Sequence, residues 1–161
     1  MANTQSMCTS FMAELLTATH NFGTAPIRAA ATADTFKAAL YLTTATINAA
    51  TTVYTATNEV TSANYSAGGV NVTNGTAPAS ANASATAGTA YWTPSASIVY
   101  GSAGSPVTFS SFDCVLIYNS TQANKAVSAH TFTAQTVTSG TFTLTMPSNT
   151  TSTALLRLAT T

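Results

Sequence analysis

Charge is what this sequence has least of. Four Lys+Arg and four Asp+Glu are spread over 161 residues, so charged residues make up 5% of the chain and the formal net charge is zero. An ordinary soluble domain carries about 25%. A protein that neutralises phosphates needs clustered Lys and Arg, so nucleic-acid binding by counterion release is excluded as a function class, and a polybasic membrane patch with it. Cysteine is nearly absent too: Cys8 and Cys114 are far apart, with no CxxC and no His beside either. That is too few ligands for a zinc site, and two buried free thiols are expected. No run approaches the roughly 18 apolar residues of a membrane-crossing helix, so no membrane partner is expected. The opening Met1-Ala2-Asn3-Thr4-Gln5-Ser6 has no basic stretch of the secretory kind, which leads us to expect folding in a reducing cytoplasm.

Hydrophobic residues nevertheless reach 45%. Intrinsic disorder requires low hydrophobicity with high net charge, so the chain is expected to fold, and its length suits one domain. Thr and Ala each make up about a fifth of it. Thr is β-branched and suits a half-exposed strand, its methyl packed and its hydroxyl in water. A coat so poor in charge favours association, and composition alone leans towards an assembly protein rather than a free-standing enzyme.

Periodicity divides the chain. Met7, Phe11, Leu15 and Phe22, with Cys8, Met12 and Leu16 beside them, recur at three- and four-residue steps, which predicts an N-terminal helix over residues 6–21 stopped by Gly23 and Pro26. From Asp34, Phe36, Ala38, Leu40 and Leu42 alternate with Lys37, Ala39, Tyr41 and Thr43, the two-residue period of a strand. Residues 46–61 are ambiguous between a helical turn and extended chain. Residues 75–88 are Ala, Ser, Thr, Asn and Gly with Pro78, and read as an exposed, mobile loop. Strands are predicted at 91–93 and 98–100, then a hairpin whose apolar run 112–118 returns over 125–132, then strands at 141–146 and 155–158. Seven to nine short strands with turn residues between them predict a mainly β fold, a compact antiparallel β-sandwich or barrel with one N-terminal α-helix. The organisation is an N-terminal helix or arm over 1–25 and a single β-rich domain over 26–161, carrying the low-complexity loop at about 75–90.

Chemistry has little to work with. The acids Glu14, Asp34, Glu59 and Asp113 each sit in a different predicted element, which argues against paired carboxylates. His130 and Asp113 lie on neighbouring predicted strands, and a nearby Ser would complete a triad, but no GxSxG nucleophile elbow is present and a structural histidine is the favoured reading. His20 and His130 lack metal-ligating neighbours in sequence, so no catalytic residue, metal or cofactor is assigned. The residues singled out for interaction are Phe11 and Leu15 on the helix, and Tyr91 and Trp92 on a strand, where an aromatic pair serves a core, an interface or a sugar ring. Asp34 with Lys37, and Asp113 with Lys125 across the hairpin, are candidate register pairs.

Met1-Ala2-Asn3-Thr4-Gln5-Ser6-Met7-Cys8-Thr9-Ser10-Phe11, Asp34-Thr35-Phe36-Lys37-Ala38-Ala39-Leu40-Tyr41, Thr57-Asn58-Glu59-Val60, Tyr65-Ser66-Ala67-Gly68-Gly69 and Leu116-Ile117-Tyr118-Asn119-Ser120-Thr121-Gln122-Ala123-Asn124-Lys125-Ala126 resemble small virion structural proteins of tailed bacteriophages. The likeness runs over most of the chain except the loop at about 75–90. It implies a non-enzymatic particle component with no catalytic residues to carry over, best matched by a capsid decoration (cement) protein. Its implied partners are the major capsid protein and further copies of itself, as a trimer on the outer surface of the capsid, after a period in the host cytoplasm during assembly. Two other classes stand beside it: a tail, tail-tube or head-tail connector component, recognisable by a strand edge that pairs with its neighbour, and a carbohydrate-binding adhesin dependent on Trp92.

Overall fold

The computed structural model describes residues 3–16, 19–22, 33–84 and 87–160. Strand is the dominant element, in antiparallel sheets, as the two-residue periods predict. In chain order the elements are β1 (Ser6–Met7), α1 (Thr9–Leu16), β2 (Phe36–Leu42), β3 (Val70–Asn71), β4 (Ala79–Asn82), β5 (Gly88–Trp92), β6 (Ile98–Tyr100), β7 (Val107–Asn119), β8 (Lys125–Gly140), β9 (Phe142–Leu144) and β10 (Leu156–Ala159). They form a five-stranded sheet in the order β1-β8-β7-β2-β3, a three-stranded sheet β10-β5-β4, and the pair β6-β9.

The centre of the five-stranded sheet is where the sequence is most apolar. Ala39 faces Leu116, which faces Ala129, and Leu40, Leu116 and Ala129 are fully buried. A strand buried on both faces needs no alternation, which is why residues 112–118 read as a continuous apolar run. The hairpin turn is made where Asn119 Oδ1 accepts from the backbone N–H of Thr121 and Gln122, and Ala123 and Asn124 take positive φ. Cross-strand partners share a face, so Phe36, Ala38 and Leu40 stand on the same side as Ile117 and Val115, and as Ser128 and His130. On that side Phe36 stacks on Phe22 at 4.3 Å and meets Trp92 of β5 at 6.1 Å, which brings the three-stranded sheet against the five-stranded one. On the opposite side Tyr118 stacks on Tyr54 at 4.8 Å.

Three sequence expectations need correcting. A helix over residues 6–21 is not what forms: Ser6 and Met7 pair as an edge strand with Ala129 and Ser128, the two turns of α1 follow, and residues 19–22 are irregular. The apolar stripe was a true sign of a buried face, but Cys8 N–H donates to the Val127 carbonyl and Asn21 N–H to Asp34, so tertiary hydrogen bonds take the ends that a longer helix would need. The segment read as a loop at 75–88 contains β4, paired residue for residue with β5 although three of its four side chains are exposed. Lys125 does not meet Asp113 across the hairpin. It faces Asn119, and its ammonium reaches Glu14, while Asp113 accepts from Asn3 at 2.6 Å. Cys8 and Cys114 are buried free thiols, as expected, and burial pushes them up to about 11 and about 12.

Candidate functional site

The four residues singled out in the sequence, Phe11, Leu15, Tyr91 and Trp92, line one apolar groove of about 370 Å³ between the N-terminal segment and the three-stranded sheet. Phe11 and Leu15 are four apart on α1 and so lie on one helical face. β5 and β10 build the other wall: Trp92 faces Leu156, and Ala90 faces Leu158, in antiparallel register. Phe11 and Trp92 are the floor, at 2% and 3% exposure, whereas Leu158, at 43%, is exposed at the rim. The indole of Trp92 packs edge-on against Phe22 at 4.7 Å, and its N–H donates to Asn74 Oδ1 and to the Thr76 carbonyl. Trp92 is therefore a core residue here, and a sugar would meet Tyr91 and Leu158 before it.

A polar clasp behind α1 holds the groove's wall in place. Lys125 Nζ donates to Glu14 Oε1 at 2.5 Å, His20 Nε2 donates to Glu14 Oε2 at 2.7 Å, and Asn119 Nδ2 donates to His20 Nδ1 and to Asp34 Oδ2. Asp34 also accepts from Asn21 N–H and Gln122 Nε2. Burial raises the Glu14 carboxyl, but the hydrogen bonds donated by Lys125 and His20 and the charge of Lys125 outweigh it, and the pKa ends below the usual carboxylate value. Burial holds the His20 imidazole below its ordinary value against the pull of Glu14, so it is neutral at pH 7 and its two ring nitrogens act as one donor and one acceptor. Phe11 then packs edge-on against that ring at 4.9 Å. Three of the chain's scarce charges, Glu14, Asp34 and Lys125, join its N-terminal segment to the hairpin turn. No family model, curated protein or solved structure matches the chain.

The Ser–His–Asp possibility resolves into two residues of three. Ser128 Oγ lies 2.9 Å from His130 Nε2 beside a separate cavity of about 450 Å³, whose lining includes Arg157. Asp113 is engaged by Asn3, and among the described residues no carboxylate is hydrogen-bonded to His130. Burial pushes the His130 imidazole down to about 4.

That depression has a consequence for stability. An unfolded His takes up its proton near 6.5, the native one only near 4, so between those values the unfolded state binds more protons. Stability is then fully present above pH 6.5 and falls as the pH is lowered to about 4, by about 3 kcal/mol from this group alone. His20 adds to the loss with the same sign. Urea midpoints between pH 7 and pH 4 should fall steeply, and His130→Gln should flatten the profile; an unchanged slope in that variant removes His130 as its source.

One cluster escaped the sequence reading. Glu59, read as an isolated acid, is 6% exposed and accepts three hydrogen bonds, from Tyr54 Oη at 2.6 Å, Tyr65 Oη at 2.5 Å and the Gly68 N–H at 2.8 Å. Burial, and after it the Glu59 carboxylate, push the phenols of Tyr54 and Tyr65 well above their ordinary value. Tyr65 Oη also accepts from Leu40 N–H, and Tyr118 Oη donates to the Gly68 carbonyl, so the cluster joins the segment between β2 and β3 to the main sheet. The signal available was tyrosine five residues before and six after an acid inside an otherwise uncharged stretch.

Proposed function

We propose that this chain is a structural subunit of a tailed-bacteriophage particle, a capsid decoration protein that binds the outside of the assembled shell and stabilises it. The observation that carries the reading is the apolar groove of Phe11, Leu15, Tyr91 and Trp92, open at its rim on a β-rich body almost without charge. The resemblance in sequence of the segments around residues 1–11, 34–41 and 116–126 to small virion proteins of tailed bacteriophages supports it. So does the layering of the three-stranded sheet on the five-stranded one, which we read as a β-sandwich. The mechanism is mass action: a protein that binds the assembled lattice and not its dissociated subunits shifts the equilibrium towards the shell. Shell and decoration protein meet through apolar and hydroxyl-bearing groups, and neighbouring copies incur no like-charge repulsion. Its partners under this reading are the major capsid protein and further copies of itself.

The strand β8, which runs on past β1 with the rest of that edge unpaired among the described residues, favours a second reading as a ring component of the tail or connector. Counting copies in purified particles by quantitative mass spectrometry separates the two. Decoration predicts copies by the hundred, and a ring about six or twelve. A chain absent from particles overturns both.

The groove is tested separately. Leu158 is exposed enough for Leu158→Lys to leave the fold intact, while placing a charge at the rim. Burial of a Leu is worth about 1.5–3 kcal/mol. Binding to particles stripped of the protein should therefore weaken by about tenfold or more in co-sedimentation. Unchanged binding means that the shell contact lies elsewhere.

A further inference from the structure

Among the described residues, the main sheet leaves one long edge open. β8 is sixteen residues, and on the side away from β7 the described residues cover its first part alone: Val53 pairs with Lys125, where Ala126 N–H donates to the Thr52 carbonyl, β1 pairs with Ser128 and Ala129, and the Val127 carbonyl is taken by Cys8. Beyond that point, over residues 131–140, no strand among the described residues pairs with this side. Thr133, Ala134, Gln135, Thr136, Thr138 and Ser139 are exposed. An unpaired row of backbone N–H and C=O groups is a template for another strand, and proteins that remain monomeric blunt it with Lys, inward charge, Pro or a bulge that twists the edge away. Residues 131–140 contain no Lys, no Pro and no charge, and no Lys, Arg, Asp or Glu occurs anywhere from 126 to 156. The stretch is instead Thr, Phe, Ala, Gln, Val, Ser and Gly, with Thr at four of ten positions.

Two further features bear on who the visitor is. The register between β7 and β8 shifts at three places in this half, between Val107 and Phe109, Phe109 and Phe112, and Phe112 and Cys114. Such bulges bend a strand and raise its twist. They fall on the half of β8 that β1 does not cover, and β7's far edge there is already engaged by the 62–65 segment, where Ser62 Oγ accepts from Thr108 N–H and Asn64 donates to the Pro106 carbonyl. Beside the open edge, Phe132 and Phe142 pack on each other at 5.5 Å and stay half-buried, an apolar margin for a strand laid alongside. The charge pattern selects the partner: a stretch with no charge neither attracts a charged strand nor repels its own copy.

We infer that residues 131–140 of β8 form the surface through which one copy of this chain pairs with another, strand against strand. The inference rests on reading the chain as an assembly subunit, and it names the contact between copies. A dimer joins like edges across a two-fold axis, whereas a closed trimer joins this edge to a different edge of the next copy; both bury residues 131–140.

The test uses the purified full chain. Mass by light scattering is followed with rising concentration, and backbone hydrogen exchange of the 131–140 amides is measured in the same samples. The expected result is a concentration-dependent oligomer in which these amides exchange at least tenfold more slowly than in dilute monomer. Introducing Thr136→Lys with Thr138→Lys, both at exposed positions, should return the protein to monomer with an unchanged circular-dichroism spectrum. An oligomer whose 131–140 amides exchange as fast as the monomer's overturns the inference, as does a chain that stays monomeric at every concentration. The exchange measurement on the unmodified chain decides the matter even where the double variant fails to fold. None of these outcomes alters the number of copies in a phage particle, so failure of the edge contact and failure of the virion reading are distinguishable.

Discussion

Gly69→Ala is expected to leave the protein largely unfolded. Gly69 follows the turn that begins at Ser66, whose carbonyl accepts the Gly69 N–H, and it delivers the chain into β3 beside the centre of β2. Its φ is +74°, a conformation that disfavours an L side chain by about 1–2 kcal/mol. The larger obstacle is space: a Cβ there would lie 1.8 Å from the Ala38 carbonyl oxygen, 2.5 Å from its carbon and 2.8 Å from Ala39 Cα. These are backbone atoms of a strand that is buried and paired on both sides, so no rotamer change relieves the overlap. Either β3 leaves the sheet or β2 moves with β7 attached to it. Losses above about 4 kcal/mol belong to a short list of mechanisms, and an overlap with a central strand's backbone is one of them. With total stabilities of about 5–15 kcal/mol, that is most of what a domain has. Gly68→Ala supplies the contrast: its φ is also positive, but the nearest atom to the added Cβ is the Tyr118 hydroxyl at 2.9 Å, the far end of a side chain that can shift. Urea unfolding should therefore rank wild type above Gly68→Ala and Gly68→Ala far above Gly69→Ala. Equal midpoints for the two variants contradict the close approach of Gly69 to β2.

How much of this was legible beforehand follows from which forces act locally. The alternation of Phe36, Ala38, Leu40 and Leu42 and the run 112–118 marked β2 and the centre of β7 because apolar side chains announce a buried face in their own spacing. β4 was invisible because Ala79–Asn82 has no apolar anchor; its extended state comes from the hydrogen bonds of β5, whose partners lie six positions on at Asn82–Gly88 and twelve at Ala79–Tyr91. The N-terminal stripe was real, yet its period could not reveal that β8 would take Ser6 and Met7 as a strand. The same division holds for the site. Phe11, Leu15, Tyr91 and Trp92 stood out one by one as apolar or aromatic, and the fold brought them into a single groove. The clasp that positions them was not legible, since Glu14 and Lys125 are 111 positions apart and nothing in either neighbourhood points to the other.

Glu59→Ala is expected to cost about 4 kcal/mol, and it is the charge whose loss the fold should feel most. In an almost uncharged chain, a buried carboxylate is retained where several donors converge on it, and here two phenols and one backbone N–H do so. Truncation leaves those donors behind. Each buried group left without a partner costs about 1–3 kcal/mol, with the Gly68 N–H and the Tyr65 hydroxyl the more deeply enclosed and Tyr54 better able to find water. Glu59→Gln keeps one acceptor oxygen but turns the other position into an N–H donor facing a hydroxyl, so an intermediate loss of about 1–2 kcal/mol is expected. Tyr65→Phe removes a donor and leaves Leu40 N–H without its acceptor as well, which ties the cluster to the centre of β2. If the three groups act as one unit, Glu59→Ala combined with Tyr65→Phe will cost less than the sum of the two single changes, by 1 kcal/mol or more on the scale of about 0.5–3 typical of coupled contacts. Urea midpoints for the four proteins of that cycle decide it: additive losses, or a Glu59→Ala variant within about 1 kcal/mol of wild type, mean that the carboxylate does not hold the 43–69 segment to the sheet.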